Sequence, residues 1–248
     1  TLTLTDFRSY GTARLEPGVG PVVLHGPNGA GKTNLLEALS LFTPGRGLRG
    51  ATAREMGRRE PGEAAGRPWA VALTLEDGAG ETVRLGTGTQ SVTSTSRIVR
   101  IEGETAPSGR FLDYLRPVWA TPEQDRLFSD ARADRLRFFD RLVFAADPAH
   151  AGVVAAYDKA LRERLRLLTE AADGRSPADP LWLDALEARL GEAGAQMAMG
   201  RQAALSALQS AIDARADRPF PQADLSLIGP IDDLAAAGAS PAHIIEAI

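Results

Sequence analysis

Residues 1–120 contain short segments in which apolar and polar side chains alternate, the pattern of half-buried β-strands. The alternation is clear at residues 2–7 and returns at 69–75, where turn residues at 77–80 separate it from Val83 and Leu85. These segments predict a first strand followed by a β-hairpin. A further strand is predicted at 97–102, and short apolar runs at 22–24 and 118–119 also predict buried strands. The first half therefore indicates an antiparallel β layer.

The second half changes to the helical period, with apolar residues recurring three or four positions apart. One helix is predicted at 132–146, and Pro148 is well placed to begin a second because proline is tolerated in a first helical turn. Asp179-Pro180, an N-cap followed by proline, predicts the start of a third. The second and third helices predict an antiparallel hairpin with two apolar seams: Val154, Tyr157, Leu161, Leu165 and Leu168, and opposite them Leu183, Leu186, Leu190, Ala193, Met197, Gly200, Ala204, Ala207 and Ala211.

These seams favour packing within a helical lobe, because a sustained coiled coil needs more heptads than two helices of this length supply. A coiled-coil arm or a helix that docks a partner is the alternative. After the lobe, residues 225–228 predict a short strand, and Ser240-Pro241 predicts the cap and first position of a final helix.

An eight-residue run between the apolar segment 22–24 and a predicted helix at 34–42 matches the phosphate-binding P-loop, G-x-x-x-x-G-K-[ST]. In such a loop the glycines let backbone N–H groups wrap around phosphate, and the next helix presents its positive end to the same anion. Lys32 is expected to reach the β- and γ-phosphates, and the Thr33 hydroxyl to ligate Mg²⁺. The pattern predicts a nucleotide-binding protein that uses Gly26, Pro27, Asn28, Gly29, Ala30, Gly31, Lys32 and Thr33.

Composition narrows the class of protein further. The chain has 248 residues, of which 44% are hydrophobic and 24% charged, as in ordinary globular domains. It contains no cysteine, which excludes disulfides and cysteine-based metal or redox chemistry. No apolar stretch approaches a membrane span, so we expect no membrane association and a cytoplasmic location. The net charge of −4 argues against a uniformly basic surface for nucleic acid, although a local basic face is compatible with it.

Several separated segments together resemble the bacterial RecF family. They are Thr5-Asp6-Phe7-Arg8-Ser9-Tyr10, the P-loop with Thr33-Asn34-Leu35-Leu36-Glu37-Ala38, Thr43-Pro44-Gly45-Arg46-Gly47, Trp119-Ala120-Thr121-Pro122-Glu123-Gln124-Asp125, and Arg137-Phe138-Phe139-Asp140-Arg141. The resemblance covers most of residues 1–170. It implies an α/β fold: a P-loop ATPase head of ABC type, similar to ABC transporter and SMC heads, with an antiparallel β layer and an inserted α-helical lobe.

The resemblance also implies a function. It implies an ATP-dependent homodimer that binds double-stranded DNA near single-strand gaps and, with RecO and RecR, helps to load recombinase. In the intact protein, slow ATP hydrolysis would be coupled to DNA binding. By position, Arg8 and Asn34 are expected at the nucleotide, and Glu123-Gln124 lies where such heads place the Q-loop. Of these two, Gln124 is favoured as a ligand of nucleotide-bound Mg²⁺, because a neutral amide does not repel phosphate.

Two parts of the pattern are missing from the sequence. It has no L-S-G-G-like signature and no clean Walker B strand ending in acids, so we expect no catalytic residue in this chain. The best candidate, residues 227–233, contains Gly229 and Pro230, which would break a central strand. We therefore expect the C-terminal part of the head to be missing. The predicted domains are the N-terminal part of the head at 1–130, the helical lobe at 131–218, and the start of the return to the head at 219–248.

DNA contact is the candidate role of an arginine-rich segment after the P-loop helix, because arginines beside the ATP site could form phosphate contacts. A charge-rich loop that is only solvated is the alternative, since glutamates are interspersed. Two other functions stay open for the chain, a P-loop kinase acting on a small metabolite and a partner-docking module indifferent to nucleotide. The arginines are Arg46, Arg49, Arg54, Arg58 and Arg59.

Overall fold

The computed structural model describes residues 1–215, 219 and 221–248, which divide into two units. The head unit is Thr1–Thr121 and the helical unit is Pro122–Ile248. The described part of residues 219–248 belongs to the helical unit, whereas the predicted lobe boundary at 218 lies outside the described residues. The three-part domain division stays a prediction.

A six-stranded antiparallel sheet forms the head unit, in the order β2-β1-β3-β4-β5-β6. The predicted strand at 2–7, the hairpin formed by Ala70–Glu76 and Thr82–Gly88, and the further strand, which spans Ile98–Ile101, are all present. Short turns such as Asp77-Gly80 explain why neighbours in sequence pair in space, since only antiparallel strands can be joined so tightly. The strands are β1 (Leu2–Phe7), β2 (Tyr10–Leu15), β3 (Ala70–Glu76), β4 (Thr82–Gly88), β5 (Ile98–Ile101) and β6 (Glu104–Thr105).

One face of the sheet buries its apolar side chains together with those of helix α1 (Lys32–Ser40) and the residues that follow it. In β1, Leu2 and Leu4 are buried while Thr5, on the other face of the strand, is exposed, as the period-two pattern requires. Two edge-on aromatic pairs add to this core. They are Phe7 with Trp69 and Phe42 with Phe111, and a short 3₁₀ helix, Ser108–Asp113, carries the last of these.

Three predicted strands are wrong. Residues 22–24, 118–119 and 225–228 are irregular in the structure. Val23 has 81% and Ile228 has 83% of its surface exposed, so these runs do not behave as buried strands. The physical reason is that an apolar run becomes a strand only when a neighbouring strand pairs with it, and none of the described strands does so.

The helical unit is built of helices, which lie in the half of the chain where apolar residues recur every three or four positions. Helix α2 has the predicted bounds 132–146, and the third predicted helix begins at Pro180 behind the Asp179 cap, whose Oδ1 accepts from Leu181 N at 3.0 Å. The final helix begins at Pro241 behind Ser240. The bounds are α2 (Arg132–Ala146), α3 (His150–Ala172), α4 (Pro180–Asp213), α5 (Pro230–Ala236) and α6 (Pro241–Glu246), after a 3₁₀ segment at Pro122–Ser129.

Helices α3 and α4 form the predicted antiparallel hairpin, but three of the five α3 seam residues are wrong. Leu161, Leu165 and Leu168 are exposed, whereas Ala160 is buried and packs with Leu186 and Leu190 of α4. A small residue at the closest approach lets α4 come near, so the larger leucines lie beside the interface. On α4 the seam is confirmed through Ala193, whereas its last members, Ala207 and Ala211, are exposed.

A buried polar group joins α2, α3 and α4. Arg201 of α4 donates to both oxygens of Asp140 of α2, from Nε at 2.7 Å and from Nη2 at 2.8 Å. His150, the first residue of α3, lies 3.3 Å from Asp140 Oδ1. Burial alone would raise the pKa of the Asp140 carboxyl, but the hydrogen bonds from Arg201 and His150 outweigh it, so this pKa lies below its usual value. Gly200 is needed beside this group, because a Cβ there would lie 2.6 Å from His150 Nδ1.

Replacement of Arg201 by methionine is expected to destabilise the chain by about 3 kcal/mol near neutral pH, because Asp140 stays buried without its bidentate partner. Urea unfolding followed by circular dichroism measures this free energy. Arg164→Met is the matched control, since the Arg164–Glu187 pair is exposed and its loss should cost about 1 kcal/mol or less.

The cost of Arg201→Met should also shrink in acid. Because the folded pKa of Asp140 is lowered, its stabilising effect is present above the unfolded pKa of about 3.9 and is lost as the pH falls through the lower folded value. Equal costs at about pH 7 and about pH 3 would contradict this account.

Candidate nucleotide-binding site

The P-loop is an exposed turn that leads directly into α1. Gly26, Gly29 and Gly31 have φ angles of +139°, +84° and +94°, a region that side chains disfavour. Gly31 is the N-cap of α1 and provides no side-chain oxygen for the first helical turn. Backbone N–H groups at this end are therefore not capped by a side chain, which is the arrangement that binds phosphate at helix N-termini.

Lys32 lies over the loop. Its Nζ donates to the carbonyl oxygens of Gly26 at 2.7 Å and Pro27 at 2.8 Å. The ammonium group is thus held next to the first residues of the loop, where it can exchange these carbonyls for phosphate oxygens. Thr33 follows in the first turn and is exposed, so its hydroxyl is accessible for a cation that bridges the phosphates.

The turn between β1 and β2 packs directly against the start of α1. Asn34 Nδ2 donates to Ser9 Oγ at 2.8 Å. The Tyr10 hydroxyl lies so close to Gly31 that a Cβ on that glycine would be 2.5 Å from it. Both its positive φ and the closeness of Tyr10 therefore require glycine at position 31. The turn between β1 and β2 supports the P-loop from one side.

A buried carboxylate on α1 joins this turn to the segment after the helix. Glu37 is fully buried and accepts from Arg8 through Nε at 2.9 Å and Nη2 at 2.6 Å. Arg49 Nη1 donates to the same carboxylate at 2.8 Å and to Asn34 Oδ1 at 2.8 Å. Arg8 also donates to Glu55 O at 2.8 Å. The arginine expected at the nucleotide is thus oriented by Glu37, and a second arginine lies within one helical turn of Thr33.

The remaining arginines of the predicted DNA-contacting segment differ in their partners. Arg58 lies 3.9 Å from Asp6 and 3.1 Å from Glu60, so its charge is balanced within the head unit. Arg54 Nη2 donates to the carbonyl oxygen of Thr93 at 2.7 Å and remains exposed. Two further arginines of the segment are exposed, Arg46 and Arg59.

Gln124, the predicted Mg²⁺ ligand, lies with Glu123 in the 3₁₀ segment Pro122–Ser129 at the start of the helical unit. Its side chain is partly buried and Glu123 is exposed. The roles of both stay predictions. Among the described residues no group of three or more His, Asp or Glu side chains is arranged to hold a metal ion. No described helix is long and apolar enough to cross a membrane.

Sequence reasoning missed Glu37, Ser9 and Tyr10 as parts of the site. A signal for Glu37 was available, because it lies four residues before Leu41 and hence on the same helical face as a core residue. An acid on a buried face requires a cationic partner. Ser9 and Tyr10 carry no such signal, since their contacts depend on how the turn packs on α1.

Several known proteins are similar to this chain in sequence. A family model described as an AAA domain matches residues 1–111. A protein named DNA replication and repair protein RecF, from Caulobacter sp. (strain K31), is 59% identical over 249 residues, which cover 98% of this chain and 64% of that protein. The protein of the same name from Mesorhizobium japonicum is 44% identical over 248 residues, covering 99% of this chain and 62% of that protein.

Over nearly its whole length the chain is similar to proteins named RecF. A solved structure described as the recombination mediator protein RecF-ATPrS in the RecFOR pathway has a TM-score of 0.81 and 19% identity, covering 99% of this chain and 64% of that chain. A RecF-ATP structure has a TM-score of 0.73 and 20% identity. At this identity the likeness establishes the fold, and the predicted α/β ATPase head with a helical lobe is confirmed. The chain spans 62–64% of the length of these RecF relatives.

Glu37→Gln tests the clamp of two arginines on one carboxylate. We expect a loss of about 2 kcal/mol in the free energy of unfolding, because Arg8 and Arg49 lose a buried charged acceptor. Urea unfolding measures the loss. Glu16→Gln is the control, since Glu16 makes an exposed ion pair with Arg14 and its change should leave the midpoint nearly unaltered. Equal midpoints for the two variants would show that the clamp contributes no stability.

Proposed function

We propose that this chain binds ATP with Mg²⁺ through residues 26–34 and that ATP binding controls its attachment to double-stranded DNA in recombinational repair. The observation that carries the proposal is the loop itself: a glycine turn, a helix start without a side-chain cap, and the Lys32 ammonium held across the loop. The family supports it, since the relatives are named DNA replication and repair proteins and the two similar structures are described as RecF-ATPrS and RecF-ATP.

Each residue of the loop has a chemical task in this proposal. Lys32 exchanges its two loop carbonyls for β- and γ-phosphate oxygens, which are stronger acceptors because they are charged. The Thr33 hydroxyl is the ligand that this chain offers to Mg²⁺ near the phosphates, and Gln124 is the predicted second ligand. Mg²⁺ bound between the phosphates would neutralise part of their charge. Arg8, held by Glu37, supplies a fixed positive charge near the first turn of α1.

The wider function follows the family. We propose that two heads associate when ATP is bound, that the dimer binds duplex DNA near single-strand gaps, and that RecO and RecR are its partners in loading recombinase. Slow ATP hydrolysis would then release the DNA. These steps concern a whole protein of which this chain spans about 64% in its relatives.

Lys32→Met should weaken binding of a fluorescent ATP analogue in Mg²⁺ about 30-fold or more, because charge-assisted hydrogen bonds to the phosphates are lost. Fluorescence titration measures the dissociation constant. Lys159→Met is a matched control, since Lys159 is the chain's other lysine and lies on α3 in the helical unit. If the two variants bind the analogue equally well, residues 26–34 are not the nucleotide site.

DNA retention should depend on the same lysine. A labelled gapped duplex is expected to be retained by the full-length protein with ATP and Mg²⁺ and released without them, because nucleotide orders the loop next to the arginine-rich segment. Lys32→Arg should abolish the ATP-dependent part, while Lys159→Arg preserves it. Fluorescence anisotropy measures retention.

The alternatives give different results in that assay. Retention that ignores both ATP and Lys32→Arg would overturn the proposal and favour a docking module. ATP-dependent phosphorylation of a component of a metabolite mixture, without DNA retention, would favour a small-molecule kinase.

A further inference from the structure

A second candidate anion site lies in the head unit, away from the carboxylate clamp on α1. It is a pocket of about 580 Å³ between the segment that follows α1 and the edge of the sheet at β5 and β6. Its lining combines arginine, hydroxyl and small apolar side chains and contains no aspartate or glutamate. The lining residues that matter here are Arg46, Arg97, Thr52, Thr95, Ser96 and Ser108.

Arg97 is the fixed cation of this pocket. Its guanidinium donates to the carbonyl oxygens of Leu41 at 2.5 Å and Thr43 at 2.6 Å, just past the end of α1, and to Thr87 Oγ1 at 3.0 Å. Among the described residues no carboxylate pairs with it, so neutral groups hold its position and its charge is not cancelled. Burial lowers the pKa of Arg97 to about 10, which leaves it charged at neutral pH.

Hydroxyl groups form one rim of the pocket. Of the serine- and threonine-rich residues 91–96, Thr95 and Ser96 line the pocket. Arg54 lies outside the lining but contacts the same segment, because its Nη2 donates to Thr93 O at 2.7 Å. Serine and threonine hydroxyls and arginine are among the groups that contact DNA phosphates in proteins.

Among the described residues, the exposed arginines at this pocket, Arg46 and Arg54, form no salt bridge. Arg46 lines it directly, and Arg54 contacts Thr93 beside it. Glu55 is the nearby acid, but its Oε2 accepts from Thr52 N at 2.7 Å and from Thr52 Oγ1 at 2.8 Å. The carboxylate keeps its charge, and Arg46 is among the groups that lower its pKa, so Glu55 offsets part of the positive charge beside the pocket. The lining itself contains Arg46 and Arg97 and no acid.

We propose that this pocket and its edge bind the backbone phosphates of DNA, with Arg46 as the ligand in the lining, Arg54 as an exposed ligand beside it, and Arg97 as the fixed charge behind Arg46. The inference rests on the proposed DNA binding and locates one of its contacts at this pocket. It also divides the predicted arginines: Arg46 and Arg54 contact DNA, whereas Arg49 and Arg58 are held by acids within the head unit. A free phosphate ion shares the same chemistry, so the experiment separates the two.

The test compares Arg46→Gln, in the lining, and Arg54→Gln, whose side chain contacts Thr93 beside the pocket, with Arg59→Gln. Arg59 is an exposed arginine of the same segment for which neither of these placements is recorded. Binding of a fluorescent duplex is followed by anisotropy over a range of salt concentrations with ATP and Mg²⁺. Arg46→Gln and Arg54→Gln should each weaken binding about three- to tenfold and lower the slope of log K against log salt by about one, because each removes one phosphate contact. Arg59→Gln should leave both quantities unchanged.

Two further measurements make the outcome unambiguous. All three variants should bind the ATP analogue like the unsubstituted chain, so a loss there would mark a folding or nucleotide defect and overturn the assignment to DNA. Calorimetric titration with inorganic phosphate should give no tight binding; a site for free phosphate that Arg46→Gln abolishes would also overturn it.

The proposed function and this inference fail in different ways. If the unsubstituted protein does not retain DNA with ATP, the proposed function fails, and the pocket inference fails with it. If it retains DNA and Arg46→Gln and Arg54→Gln behave like Arg59→Gln, only the pocket inference fails.

Discussion

The Glu37 carboxylate lies where three segments of the head unit meet, and the geometry around the P-loop depends on it. A fully buried carboxylate is tolerated only with charged or hydrogen-bonding partners. Those partners are Arg8 from the turn after β1 and Arg49 from the segment after α1. Both arginines are therefore fixed in place by one acid on the helix that begins at Lys32. The first sheet strand, the P-loop helix and the following segment form one hydrogen-bonded unit.

The same carboxylate explains why the residues after the P-loop are arranged as they are. Arg49 bridges Glu37 and Asn34, and Asn34 in turn holds Ser9. Asn34 directly follows the P-loop. The hydrogen bonds of Glu37, Arg49, Asn34 and Ser9 therefore reach the first turn of α1 without involving the loop itself. The loop is left exposed and able to accept phosphate, while the residues around it are braced. A rigid support under an exposed loop is what positions binding groups accurately.

The elements predicted correctly from sequence are those with local signals. The P-loop match, the turn at 77–80 and the cap Asp179-Pro180 each involve residues near one another in the chain, and the structure has the corresponding strand–turn–strand and helix starts. The strand at 22–24 failed because pairing depends on a distant neighbour. Three α3 seam positions failed because a buried position of that helix holds an alanine, Ala160, which an apolar pattern weighted by size does not select.

The partners of the charged residues are even harder to predict from the sequence. The sequence presents Arg46, Arg49, Arg54, Arg58 and Arg59 as one basic segment, yet these side chains have different partners in the fold. Nothing within the segment distinguishes Arg49 from Arg46, because the acid that holds Arg49 lies on α1. Likewise, His150 is isolated in sequence but lies beside Asp140 and Arg201 in the helical unit. Which charges are structural and which are accessible is decided by burial, and burial is a property of the fold.

This division makes the proposed DNA binding compatible with an acidic chain. The net charge of −4 is a sum over the whole molecule, whereas at physiological ionic strength a surface charge acts over about 8 Å. A phosphate at the pocket of Arg46 and Arg97 therefore responds to the nearby groups and hardly to distant acids. Arg46 and Arg49 are also three residues apart in one segment, so the pocket and the nucleotide site share a support that Glu37 anchors at one end. A small shift of the first turn of α1 on binding phosphate would act on both through the same short stretch of chain.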